Sequence, residues 1–245
     1  MDEAKATGHR LRAALFDVFG TVVDWRSGVA RAVDAFLRRH DIDGVDPETF
    51  ADAWRDRYTP SMAEVSAGRR PFVPLDRLHL ENLQATLAAF GLPSRDFAEG
   101  ELRVLNHAWH RLDPWPDVVA GLQAMKANLI IAPLSNGNVS LLLDMAKRAR
   151  LPWDAILGAE VVAAYKPTRE AYLKTAALLD LPPDEIVMVA AHNGDLAAAR
   201  GCGFRTAFVP RPTEHGPHQT KDLMPLQDWD FVAPDFEALA RQLVA

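Results

Sequence analysis

Cysteine is nearly absent. Cys202 is the single one in 245 residues, which excludes an internal disulfide and suits a reducing compartment. It stands in Gly201-Cys202-Gly203 with no second thiol nearby, the setting of a packing residue rather than a reactive one. Long hydrophobic runs are missing too. None approaches the roughly 18–20 apolar residues that a bilayer span needs. The opening MDEAKATGHR lacks the apolar segment of a secretory signal, so no membrane role and a cytoplasmic location are expected. Positive charge is in deficit: 27 Lys and Arg face 33 Asp and Glu, a net of -6, which argues against a nucleic-acid or anionic-membrane partner. The basic pairs Arg38-Arg39 and Arg69-Arg70 are isolated and read as solvated. Internal repeats and low-complexity tracts are lacking. What remains is an ordinary globular composition, 49% hydrophobic and 24% charged, at a length that allows one large domain or a domain with an insertion.

The chain is organised around residues 13–24, Ala-Ala-Leu-Phe-Asp-Val-Phe-Gly-Thr-Val-Val-Asp. The apolar run 13–16 is too short for a helix and reads as a buried strand. It ends on Asp17, with Gly20 and Thr21 supplying a turn and a hydroxyl donor. Ligands of an open parallel sheet sit at the carboxyl ends of its strands, so Asp17 is placed for chemistry. Its other reading is a turn residue.

Helical spacing follows, with Val29, Val33, Phe36 and Leu37 on one face and Arg31, Asp34 and Arg38 opposite. Asp46-Pro47-Glu48 starts a second helix with Asp as N-cap, carrying Phe50, Trp54, Tyr58 and Met62. Residues 66–74 are a break, 75–90 a helix closed by Gly91, and 94–111 a further helix. No strand is expected between 26 and 111. Asp113-Pro114-Trp115-Pro116-Asp117 is the best boundary in the chain. Beyond it, helix 118–126, strand 129–134, helix 139–149, strand 155–158, helix 166–179, strand 186–190, helix 195–201, strand 206–209 and a final helix from 234 alternate. Pro133 is assigned to the last turn of its strand, because a central strand needs its N–H. The expected fold is α/β, a doubly wound, Rossmann-like parallel sheet over 11–25 and 112–245, carrying an inserted helical cap domain over 26–111. A site between core and cap follows.

Polar residues recur at the strand ends: Asp17, then Ser135 and Asn136, then Lys166 before a helix, then Asp195. Each has a bland reading alone; Ser135-Asn136-Gly137 is a good turn and Asp195 a good N-cap. Together they can share one cleft. The order Asp17-x-x-Gly20-Thr21, Leu134-Ser135-Asn136-Gly137, Tyr165-Lys166-Pro167, and Asp195 ahead of an alanine run resembles the haloacid dehalogenase superfamily over 11–209.

Most of that superfamily are magnesium phosphatases with a second Asp two positions after the nucleophile, which protonates a leaving alcohol. Here that position is Phe19. They also carry a metal-binding Asp where this chain has Ala191. A halide leaving group needs neither, and the closer resemblance is to the type II L-2-haloacid dehalogenases. It implies Asp17 as nucleophile, Thr21 and Lys166 holding its carboxylate, Ser135 and Asn136 on the substrate carboxylate, and Tyr172 as an active-site tyrosine. Phe19 and Asn193 are further substrate-binding candidates, and Asp195 is the residue that orients or activates water. Arg55 matches the arginine that receives the halide, although a lone cap arginine is by default solvated or salt-bridged. Many such enzymes read Ser-Ser-Asn ahead of the last Asp; this chain reads Ala190-Ala191-His192-Asn193. His192 is then a hydrogen-bonded residue, a base, or a donor to departing halide. With Asp24-Trp25-Arg26-Ser27-Gly28, this stretch resembles the branch in which defluorination occurs. The resemblance implies a 2-haloacid and halide as small-molecule partners, no cofactor or metal, and a homodimer. The competing expectations are a phosphatase or phosphonatase, and a non-catalytic small-acid-binding protein.

Overall fold

The computed structural model describes residues 10–244; most of the polar opening stretch lies outside them. The chain runs β1 (Ala13–Phe16), β2 (Val23–Asp24), α1 (Trp25–Arg39), α2 (Pro47–Asp56), α3 (Tyr58–Ser66), α4 (Leu75–Ala89) and α5 (Glu99–Asn106). After these come β3 (Asp113–Pro114), α6 (Val118–Lys126), β4 (Ile130–Ser135), α7 (Val139–Ala149), β5 (Leu157–Gly158) and α8 (Ala159–Val162). The rest is α9 (Arg169–Leu178), β6 (Ile186–Ala190), α10 (Asn193–Arg200), β7 (Arg205–Phe208), β8 (Phe231–Val232) and α11 (Phe236–Leu243).

Among the described residues the main sheet has the order β5-β4-β1-β6-β7-β8, with every neighbouring pair parallel. β1 lies in its middle, Leu15 opposite Ala132 on one side and Met188 on the other, and all four of its residues are fully buried. Burial on both faces is why the strand is apolar throughout instead of alternating. The Asp17 N–H still donates to Val189 O at 3.0 Å, so the nucleophile candidate is anchored to the ladder rather than to a free loop.

The helices α1 to α5 leave the sheet through a two-stranded antiparallel ribbon, Val23 opposite Pro114 and Asp24 opposite Asp113. Asp24 caps α1 by accepting from Ser27 N at 3.1 Å, and Asp46 caps α2 by accepting from Thr49 N at 2.8 Å, with Pro47 in the first turn. Trp25, Trp54 and Trp109 are buried together in this helical block. Full burial of a Leu- or Phe-sized side chain is worth about 1.5–3 kcal/mol, and the block's buried side chains run on into the apolar cluster of the sheet.

Several local expectations are corrected. Residues 94–111 are not one helix but a 3-10 turn (Ser94–Asp96), α5 and a second 3-10 stretch (His107–Arg111). The boundary at 113–117 is half of the ribbon, too short for periodicity to reveal. Pro133 sits inside β4, opposite Phe16. Ile131, two residues earlier, donates to Asp154 Oδ2 at 2.9 Å on the β5 side, and the β5 ladder begins only at Leu134, so the nitrogen of Pro133 faces a gap. The strand expected over 155–158 is only Leu157–Gly158, and the helix after Lys166 starts at Arg169. Asp195 is the third residue of α10, whose N-cap is His192. The short elements α8 and β8 are additional.

Candidate active site

Asp17 closes β1, Ser135 is the last residue of β4, and Lys166 precedes α9. His192 and Asp195 follow β6. All lie at the carboxyl edge of the sheet, where parallel strand ends converge. Lys166 Nζ donates to Asp17 Oδ1 at 3.0 Å and to Asp195 Oδ2 at 2.5 Å. Tyr172 donates its hydroxyl to Asp195 Oδ1 at 2.5 Å. The Thr21 hydroxyl donates to Asp17 Oδ2 at 2.7 Å and accepts from Ala191 N at 2.9 Å, which ties the turn after β1 to the end of β6.

Burial by itself would raise the Asp17 pKa, but the Lys166 charge and the His192 and Thr21 hydrogen bonds outweigh it and hold the carboxyl far below its usual range. These partners hold the nucleophile candidate as a carboxylate. Burial would likewise lower Lys166, yet its two carboxylate partners keep it a cation. Burial and the neighbouring Asp195 push the Tyr172 phenol up, so it stays a donor.

His192 bridges two carboxylates. Its Nδ1 lies 2.9 Å from Asp17 Oδ2 and its Nε2 2.9 Å from Glu214 Oε2. Burial would lower its pKa, but Glu214 and Asp17 prevail and raise it well above the ordinary value. The ring is therefore an imidazolium with both N–H groups engaged. It is neither a free base nor a donor available to a departing halide in this arrangement. Glu214 is a residue that sequence reasoning missed. Its side chain is 2% exposed and also accepts from Trp25 Nε1 at 3.0 Å. It lies in a loop after β7, where no periodicity marks a buried carboxylate. Arg211 was missed as well: its Nε donates to Thr21 O at 2.9 Å while its other nitrogens clasp Asp117 at 2.7 and 2.9 Å, bracing the Asp17 turn from below.

Phe19 is 2% exposed and forms an apolar floor beside Asp17. Its ring meets Tyr58, His79 and Trp109 at centroid distances of 6.4, 6.3 and 5.8 Å. The Arg55 guanidinium lies over Tyr58 at 3.9 Å, Trp25 at 5.4 Å and Phe19 at 5.8 Å, so the helical block delivers this arginine onto the floor. Among the described residues Arg55 has no salt-bridge partner. Its Nη1, both ring nitrogens of His79 and Trp109 Nε1 are buried without a hydrogen-bond partner. Burial pushes the His79 pKa down to about 3, so the ring is neutral and keeps one N–H donor. An aromatic cluster with several unpartnered donors is chemically suited to meet a small anion.

One candidate is redirected and another has a structural task as well. Asn136 accepts from Lys166 N at 2.7 Å and donates to Lys166 O at 3.4 Å, so its amide pins the lysine loop and keeps a second N–H to donate. Asn193 donates to Asp222 Oδ1 and Met224 O and accepts from Leu226 N and Trp229 Nε1; every amide valence serves the 222–229 loop. Ser135 accepts from Gly137 N at 3.2 Å and retains its own proton to donate. A magnesium ion of the phosphatase kind does not fit: Ala191 puts a methyl where a carboxylate is needed, and among the described residues no three His, Cys, Asp or Glu side chains form a metal-holding group.

An ionised carboxylate at a strand end, flanked by a lysine and a second carboxylate under a helical lid, defines a hydrolase of the covalent-aspartyl class. A family model described as haloacid dehalogenase-like hydrolase matches residues 11–203, and the chain belongs to that family. It is similar to (S)-2-haloacid dehalogenase 1 of Pseudomonas sp. (strain CBS-3), 30% identical over 205 residues, which span 82% of this chain and 85% of that protein. The fold is similar to the defluorinating L-2-haloacid dehalogenase Rha0230, with a TM-score of 0.94, 55% identity and 96% of each chain covered. The L-2-haloacid dehalogenase PA0810 superposes with a TM-score of 0.89 at 47% identity, over 95% of this chain and 99% of that one.

Proposed function

We propose that this chain hydrolyses short (S)-2-haloalkanoic acids to 2-hydroxy acids through an ester on Asp17. The observation that carries the reading is Asp17 held by Lys166, Thr21 and His192 beside an aromatic cluster around Phe19, in which donors of Arg55, His79 and Trp109 have no partner. A leaving alkoxide needs a proton, which Phe19 cannot give. A leaving halide needs only an apolar seat with N–H donors, as Arg55, His79 and Trp109 provide.

Asp17 attacks the carbon bearing the halogen from the back, breaks the carbon–halogen bond and inverts that centre. The halide departs towards Arg55, and the Ser135 hydroxyl and the remaining N–H of the Asn136 amide are donors for the substrate carboxylate. Water then attacks the Asp17 carboxyl carbon, oriented by Asp195, whose oxygens are fixed by Lys166 and Tyr172. An L-substrate gives a D-2-hydroxy acid. Residues 26–111 act as a cap domain over a core of 11–25 and 112–245, shutting bulk water from the nucleophile. The reaction calls for no cofactor or metal, and the working protein is a cytoplasmic homodimer.

Fluoroacetate belongs to the substrate range. Fluoride depends heavily on hydration, so a dry site must replace those hydrogen bonds, and the idle donors around Phe19 supply them. Similarity to the defluorinating Rha0230 supports the same reading. The test is halide release from fluoro-, chloro- and bromoacetate and both 2-chloropropionate enantiomers, with and without EDTA. Release from the S enantiomer that EDTA leaves unchanged is expected. Metal-dependent phosphate release from phosphate monoesters assayed in parallel, with no halide from the panel, would overturn the proposal, and binding of these acids without turnover would leave a binding protein.

A further inference from the structure

Resting on the hydrolase reading, we infer that Glu214 is a positioning residue for the second half-reaction: it holds His192 oriented and protonated once Asp17 has become an ester, so that the His192 Nδ1–H and the Thr21 hydroxyl stabilise the oxyanion forming on Asp17 Oδ2.

The two oxygens of Asp17 are treated differently. Oδ1 meets Lys166, whereas Oδ2 meets Thr21 at 2.7 Å and His192 at 2.9 Å. Oδ1 is the oxygen that takes the substrate carbon, and Oδ2 becomes the ester carbonyl, already aimed at by two donors. When water attacks the carboxyl carbon, the carbonyl electron pair moves onto Oδ2 and a water proton passes to Asp195. Collapse restores the carbonyl and breaks the bond from the carboxyl carbon to Oδ1. The departing alkoxide takes the proton back from Asp195 and leaves as a hydroxy acid, while Asp17 keeps the oxygen from water and releases that oxygen's remaining proton to solvent. Donors fixed where such charge develops are among the strongest catalytic contributions.

Esterification removes the negative charge of Asp17. Lys166 still faces Asp195. Without Glu214, His192 would face only a neutral ester and would lose its proton at neutral pH. Glu214 sits across the ring, 2.9 and 3.1 Å from Nε2, and remains an anion throughout. Beyond His192 it is faced by Trp25 Nε1 at 3.0 Å and by His215 at 3.6 Å. The turn after the nucleophile is shaped to admit it. Gly20 has φ +88°, and a Cβ built there would lie 2.0 Å from Glu214 Oε1.

The experiment is rapid-quench kinetics on chloroacetate, reading halide, glycolate and intact protein mass together. In Glu214→Gln the halide burst should persist while ester hydrolysis slows about 10- to 100-fold at pH 8, approaching the 10²–10³-fold cost of losing an oxyanion donor. Ester-bearing protein should then accumulate. The hydrolysis rate should fall as pH rises through the ordinary histidine range, where the wild type stays flat, and Glu214→Asp should recover part of the rate. Equal slowing of both steps, with no ester and an unchanged pH profile, would make Glu214 a packing residue only. If Glu214→Gln does not fold, the wild type decides by ¹⁵N NMR of His192 at pH 8. An imidazolium is expected in resting and esterified enzyme, and a neutral ring in the ester would overturn the inference. Normal halide release with an unaltered partition removes this inference alone, whereas no halide release by wild type removes the reaction with it.

Discussion

His79→Phe should make the protein more stable, and increasingly so at lower pH. His79 is 1% exposed in α4, stacked on Trp109 at 4.4 Å and edge-on to Phe19 at 6.3 Å, and neither ring nitrogen has a partner. A buried polar group left unsatisfied costs about 1–3 kcal/mol. Phenylalanine keeps the aromatic contacts and removes both nitrogens, although its slightly larger ring takes back part of the gain. The net at pH 8 is about 1–3 kcal/mol. At roughly 2–4 °C per kcal/mol for a chain of this size, Tm should rise by about 2–12 °C. Burial also holds the folded pKa at about 3, against about 6.5 unfolded. The unfolded chain therefore binds the extra proton, and wild type loses stability as pH falls below the unfolded value. Between pH 8 and pH 5 that loss is roughly 2 kcal/mol, at 1.36 kcal/mol per pH unit travelled below 6.5. Scanning calorimetry of both proteins at pH 8, 6.5 and 5 should show the variant's advantage widening by that amount. Equal stability at pH 8, or parallel Tm curves down to pH 5, would mean that the His79 nitrogens are satisfied. Halide release should fall in the variant, since a donor beside Arg55 is gone.

Asp17→Asn should fold and release no halide, and single-turnover reaction in ¹⁸O-water should label wild-type protein before product; label in the first product molecule would make Asp17 a general base. Lys166→Met leaves Asp17 and Asp195 buried without their shared cation, so urea titration should register a loss of about 3–5 kcal/mol along with lost activity. kcat/KM should show no inflection near pH 4 from Asp17, because its carboxyl is held far below that value; a pH–rate profile down to the limit of folding checks this. His110, bonded to Asp144 at 2.8 Å and Asp76 at 3.0 Å, has its pKa raised by these partners against the effect of burial. Its contribution is fully present below about pH 6.5 and fades as pH rises through the folded value; His110→Gln should therefore lower Tm at pH 6 more than at pH 9.

What could be read in the sequence is what the backbone ladder fixes. The run 13–16 had to be a buried strand, so Asp17 had to sit at its end, and the same logic placed Ser135 and the residues after Ala190. Caps such as Asp46-Pro47 were legible because a side chain just ahead of the helix accepts from a backbone N–H two or three residues on, a local need of the backbone. Side-chain allegiance was not legible. Asn136 and Asn193 look like ligand residues in a motif, yet one serves the Lys166 backbone and the other a loop some thirty residues later. Nothing local separates an amide facing a cleft from one satisfying a loop. Glu214 and Arg211 were out of reach for the same reason: each meets a partner nearly two hundred residues earlier, Trp25 and Thr21, in a segment with no periodicity.

Phe19 shows how one position can carry both halves of a chemical choice. Read as a letter, it is only the absence of an acid that a phosphate ester would need. In the fold it is the floor on which Tyr58, His79 and Trp109 converge and over which Arg55 lies. A carboxylate at that position would pair with Arg55 and fill the seat with its own charge; a phenyl ring leaves the guanidinium without an anion. On the proposed reaction, the residue that removes proton donation is thus also the one that leaves Arg55 to the departing group. A halide requires both conditions together, which is why the loss of the acid and the unpaired arginine belong to a single argument about the leaving group.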